Sequence, residues 1–137
     1  MSVRETAFAF FDACETGKGW EECAQYCQAD APFRAQSGAL AEVTTLEAYA
    51  EWMKGMFGPL PNASYELLSF GVDEERSTVC AAAIFHGTHS GKGGPVPATV
   101  QSTASDYAYV LTFEDGKVAS MIKIWNDGFA LGELGWV

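Results

Sequence analysis

Four side chains in the second half of this 137-residue chain have the chemistry of acid/base catalysis. The stretch FHGTHSGKGGPVP, residues 85–97, holds both histidines, His86 and His89. Imidazole titrates nearest neutral pH, so either ring could act as acid, base or ligand. Three positions apart on a regular strand, the two face opposite sides, and only a bend at Gly87 would bring them together. Asp106, in STASDYAYVLTF, is a lone carboxylate in a segment otherwise hydroxylic, aromatic and aliphatic. If buried it must be paired or protonated, and either state suits proton transfer with a histidine from a neighbouring strand. Tyr107 and Tyr109 have the opposite parity to Asp106, which puts the phenols on the other wall unless the strand is bulged. In KIWND, Trp125 could floor a pocket, and Asp127 could hold water or substrate, or cap the turn begun by GFAL.

Other chemistries are less well supplied. There is no HExxH or comparable ligand spacing, and no GKS or GKT after the glycines of HSGKGGP, so neither a metal nor a phosphate cradle is expected and no cofactor is implied. Cys14, Cys23, Cys27 and Cys80 contain no CxxC and read as buried reduced thiols. Eight Lys and Arg against eighteen Asp and Glu give a formal charge of -10, which disfavours nucleic acid and anionic membrane surfaces as partners. The first residues, MSVRETAFAFF, lack a signal-type n-region, and no apolar run reaches membrane-spanning length, so a cytoplasmic location is the expectation.

These residues need elements to hold them. Ser2 and Glu5 fit a capping box, followed by Val3, Ala7, Phe10, Phe11 and Cys14 at helical spacing up to Gly17. A second short helical stripe runs through Trp20, Cys23, Ala24 and Cys27 and stops before Pro32, where PFRAQSG becomes extended. Thr44 and Glu47 suggest a third capped helix with Leu46, Tyr49, Trp52, Met53 and Met56 on its apolar face, closed by Gly58-Pro59. From Ala63 the texture is strand-like in ASYELLSFGV, STVCAAAIFHGT, PATVQSTASDYAYVLTF and KVASMIKIWND. Helices first and a meander afterwards predict one α+β domain over 1–137, with a strongly curved antiparallel sheet wrapped over the helices. Both faces of the second strand are apolar or small, so a second subunit is expected to cover one of them.

The element order, with FHGTHSG at 85–91, the FEDGKV hairpin at 113–118 and the closing WND with LGELG, resembles the SnoaL-like branch of the nuclear transport factor two-like, or ketosteroid isomerase-like, superfamily. The resemblance implies a cystatin-like cone of curved sheet over N-terminal helices, usually dimeric, around a deep apolar cavity. Such proteins include polyketide cyclases, ketosteroid isomerases, dehydratases and proteins that only bind. Ala35, in DAPFRA, stands where the isomerases carry their catalytic carboxylate, which disfavours steroid isomerisation by that route. Tyr109 matches the isomerases' oxyanion-binding position and Trp125 a cavity aromatic, while Asp106 is the nearest match to the cyclases' acid/base aspartate. The resulting expectation is a cofactor-free isomerase, cyclase or lyase acting on a small apolar carbonyl compound, with Asp106, His86 or His89, and Tyr109 as catalytic groups. Phe33, Trp52, Phe85, Tyr107, Trp125 and Asp127 would contact the ligand. The alternative is a non-catalytic dimeric module that binds a small ligand or simply assembles.

Overall fold

The computed structural model describes all residues from Met1 to Val137. Helix α1 (Val3–Glu15) begins with the expected capping box, Ser2 accepting from the Glu5 amide while Glu5 accepts from the Ser2 amide. Its buried stripe, Ala7, Phe10, Phe11 and Cys14, ends with Glu15, a carboxylate carried into the interior by its place in that stripe. The short α2 (Gly19–Cys23) leads through a 3₁₀ turn into β1 (Phe33–Ala35), and α3 (Leu46–Met56) follows with Tyr49 and Met53 on its buried face. The cap of α3 is Thr45, one residue later than the sequence pattern placed it, with its hydroxyl accepting from the Ala48 amide.

Four long strands come next: β2 (Ser64–Asp73), β3 (Thr78–Thr88), β4 (Ser102–Glu114) and β5 (Lys117–Trp125), and then α4 (Asp127–Glu133). The antiparallel register sets Ala83 opposite Tyr107 and Tyr107 opposite Trp125, so odd-numbered residues of β4 face the helices. Residues 97–101, read from the sequence as the start of the third strand, instead form a loop that leads into β4.

The expected cone-shaped, curved antiparallel sheet needs correction. Five strands take part, in the order β1-β5-β4-β3-β2, and β1 runs parallel to β5. Closure would require the outermost strands to hydrogen-bond to each other. Here β1 and β2 lie at opposite edges, so the sheet is an open mixed layer, not a cone. Its inner face and the helices enclose one cluster of 23 buried apolar residues.

The glycine loop is anchored on both sides. Gly91 donates its amide to Pro59 O at 3.0 Å, and a Cβ there would fall 2.1 Å from Gly58 O, so no larger residue fits without moving backbone. His89, wholly buried, bridges the loop to the last turn of the chain. Its Nδ1 accepts from Trp136 Nε1 at 2.8 Å, and its Nε2 lies 2.9 Å from Gly93 O, an arrangement that fits the tautomer with the proton on Nε2.

Candidate active site

Lys123 is the residue around which the interior polar groups gather. Its neighbours in the β5 alternation, Met121 and Trp125, face the helices, so strand parity turns Lys123 inward as well. Only 5% of it is exposed. The ammonium nitrogen lies 4.8 Å from the centre of the Trp125 ring, 5.0 Å from Tyr49, 5.1 Å from Tyr107 and 5.7 Å from Trp52, an aromatic cage suited to a cation. Its single hydrogen bond goes to the Tyr49 hydroxyl at 2.8 Å.

Behind that bond lies a carboxylate. Tyr109 donates to Glu15 Oε2, and Tyr49 has one proton to share between the same oxygen, 3.2 Å away, and the Tyr109 oxygen at 2.8 Å. Thus Lys123, Tyr49 and Glu15 form a continuous path with Tyr109 beside it. Burial raises the Glu15 carboxyl above its usual range, with Lys123 opposing, and burial lowers Lys123, with Glu15 and Cys14 opposing. Both groups are drawn toward their neutral forms. Tyr49 and Tyr107 are pushed up, first by burial and then by the Glu15 charge, and so remain phenols that can donate.

Lys123 also opens onto a slot. Trp52, Met53, Phe85, Tyr107 and Trp125 form its walls, and Ala130, Leu131 and Leu134 from α4 and the residues after it close the outside. Its void is ≈ 380 Å³ with the open mouth included, but the centre of a water-sized sphere has only ≈ 20 Å³ in which to move. The slot is therefore narrow, and a ligand of more than a few atoms requires the α4 wall to shift. Tyr107 lines this wall, and its buried hydroxyl lies near the Glu15 carboxyl without a hydrogen bond of regular geometry; Glu15 Oε1 is likewise without one. Lys123 keeps N–H capacity beyond its bond to Tyr49.

Of the residues singled out in the sequence, Trp52, Phe85, Tyr107 and Trp125 line the slot. Phe33 stacks on Tyr49 at 4.5 Å, one layer behind, and Tyr109 belongs to the polar cluster. The remaining candidates are not brought together. Asp106 is exposed on the outer sheet face, opposite Ile84. His86 lies on the same outer face, 3.2 Å from Glu66, while His89 is in the loop anchor. Asp127 accepts from the Ala39 amide at 2.8 Å, a bond that holds its carboxyl below the usual range. It is Asn126 that caps α4, accepting from the Phe129 amide. None of the glycine-loop residues 90–98 lines the slot.

Glu15 and Lys123 were not singled out from the sequence. The signal for Glu15 was its spacing from Ala7, Phe11 and Cys14, which extends the α1 apolar stripe onto a charged residue. For Lys123 the parity was visible, but Ile122 and Ile124 made the opposite face of the strand look equally apolar.

A model of the SnoaL-like domain matches residues 7–121 of the sequence. This chain belongs to the SnoaL-like family. Solved structures agree on the fold. IdmH from Streptomyces antibioticus, described as a candidate polyketide cyclase, is similar with a TM-score of 0.78 at 16% identity, over 98% of this chain and 99% of its own. AclR from Streptomyces galilaeus, described as a candidate hydroxylase, gives 0.78 at 18% identity, over 98% and 85%. A ketosteroid isomerase-like protein from Catenulispora acidiphila, solved with trimethylamine, gives 0.71 at 18%, over 97% and 94%. A search of curated proteins found no match. At such identities the likeness carries the fold of this SnoaL-like protein, and its chemistry must be argued from its own residues.

Proposed function

We propose that the slot binds a small, largely apolar carbonyl compound, and that the protein removes a proton from the carbon next to the carbonyl, as a cofactor-free isomerase, cyclase or lyase would. The observation that carries this reading is a set of donors with capacity to spare. The Tyr107 hydroxyl makes no hydrogen bond of regular geometry and Lys123 has only Tyr49, and both residues line a slot whose one other polar residue is Thr103. A carbonyl oxygen accepts only and would satisfy both, and the same donors would meet the charge that develops on it as an enolate forms. Tyr49 and Glu15 supply a route for the proton away from Lys123. The relatives described as candidate cyclase and hydroxylase favour a small-molecule substrate.

Solvent deuterium exchange into the carbon next to the carbonyl of cyclohexanone, followed by NMR, tests it. Exchange above the solvent rate is expected, falling about 100-fold in Lys123→Met, the scale of a lost acid/base group. Equal rates in the two proteins would refute the reading. The narrow interior favours a second reading, non-catalytic binding of a small ligand. It predicts quenching of Trp52 and Trp125 fluorescence by the ketone with no exchange.

The reading includes a homodimer. Ala82, Ala108, Val110, Ile122 and Ile124 line an open outer sheet face that also carries Arg34 and Asp106, neither of which has an ion-pair partner within the chain. A face bearing both signs of charge is self-complementary under two-fold symmetry, so a second copy suits it.

A further inference from the structure

We infer that Lys123 is a covalent amine site: its Nζ condenses with the carbonyl carbon of a small aldehyde or ketone held in the slot and forms an imine. The inference rests on the carbonyl-binding reading above and names how the carbonyl is activated. Three features of the site carry it.

The amine is buried in a mostly apolar wall and opens onto the slot, with no carboxylate in direct contact to hold its lone pair as an ammonium ion. Buried lysines of this kind are the ones that serve as Schiff-base nucleophiles. The depressed basicity noted for Lys123 agrees with that placement. Next, the surroundings suit the product. A protonated imine carries its positive charge where the ammonium would have carried it, inside the same ring cage and one hydroxyl away from Glu15. Finally, the leaving oxygen has a donor within reach of the amine: Tyr107, on the strand beside that of Lys123, has its ring 5.1 Å from Nζ and its hydroxyl makes no hydrogen bond of regular geometry.

The step balances without any co-reactant. The nitrogen lone pair attacks the carbonyl carbon, the C–O π pair moves to oxygen, and a first amine hydrogen passes from nitrogen to that oxygen to give a carbinolamine. The C–O bond then breaks, the oxygen leaves as water with the second amine hydrogen, and a C=N bond remains. A proton returned from Glu15 through Tyr49 converts the imine to the iminium ion, which acidifies the neighbouring C–H bond as the reading above requires. Release of product consumes one water and restores the amine.

The test is reductive trapping of the folded protein with propanal and sodium cyanoborohydride near neutral pH, followed by peptide mass spectrometry. A propyl group on Lys123, appearing at least tenfold faster than on the exposed Lys18, Lys54, Lys92 and Lys117, is the expected result. Lys123→Arg keeps a long nitrogen-bearing side chain and cannot form the imine, so its fast-labelled site disappears while the slow ones persist. Labelling of the four exposed lysines with Lys123 untouched, or all five at one rate, overturns the inference. Paired with the cyclohexanone exchange, the outcomes separate. Exchange without labelling removes the covalent step and leaves the reading, labelling without exchange keeps the covalent step and the bound carbonyl but removes the proton abstraction, and the absence of both removes the two together.

Discussion

The buried pair Glu15 and Lys123 lies under opposing pressures that set its pH behaviour. A lysine lowered in the folded state contributes stability that is fully present above its unfolded value of 10.5 and is lost as pH falls through the folded value. A carboxyl raised in the folded state contributes below its unfolded value of 4.5 and loses that contribution as pH rises through its folded value. Near neutral pH both groups therefore weigh against folding. The double variant Glu15→Gln with Lys123→Met should be as stable as the parent or more stable, by up to about 4 kcal/mol in urea unfolding, whereas Lys123→Met alone, which strands the carboxyl, should be destabilised. Charged and titratable groups reach Lys123 from α1 as Glu15 and Cys14, from α3 as Tyr49 and from β4 as Tyr107 and Tyr109. Among them Glu15 favours the ammonium form most, so Glu15→Gln should shift the pH profile of propanal trapping to lower pH. Tyr107→Phe removes a hydroxyl that makes no hydrogen bond of regular geometry, so stability should change little while ketone affinity, read from tryptophan quenching, drops about tenfold. The tyrosines were legible in the sequence as inward residues by their parity. The two charges were not, because alternation and helical spacing report which way a residue points and not what surrounds it there.

At the scale of elements, α4 and the residues after it act as the outer wall of the slot, held by a few polar bonds. Asn126 caps the helix, Asp127 ties its start to Ala39, Glu133 accepts from Thr103 at 2.9 Å and from the Ala104 amide at 3.0 Å, and Trp136 bonds His89. Replacing Trp136 by Phe deletes one bond and leaves the buried ring nitrogen with only the Thr99 amide at 3.4 Å, a loss of about 1 kcal/mol. Amide exchange over 127–134 should rise in that variant while β3 and β4 stay protected; uniform protection would show that the wall does not depend on His89. The sequence placed histidine chemistry at this loop because imidazole is the residue most often read as catalytic. Its ring is in fact occupied on both nitrogens by a tryptophan and a carbonyl, partners distant in sequence that no local pattern reveals.

For the whole molecule, helices before strands were enough to predict an α+β layer, since no link between the long strands carries a helix. The three residues of β1 were too few to carry a period, and their parallel pairing with β5 depends on contacts some ninety positions away, so the open mixed sheet could not be read locally. The outer face left by that sheet gives the dimer its test. Analytical ultracentrifugation at micromolar concentration should show twice the mass of 14.7 kDa, and Ile124→Glu, at a position 61% exposed in the single chain, should return the monomer. A monomeric parent protein would remove the dimer from the reading.

The narrowness of the slot also governs timing. With its interior nearly filled and α4 across its mouth, arrival of a ligand waits on the wall rather than on collision. In stopped-flow mixing, the observed association rate should climb with ketone concentration and then level off at a plateau shared by ketones of different size. That plateau would be the opening frequency of α4, and a molecule once enclosed would dissociate no faster than the same hinge allows.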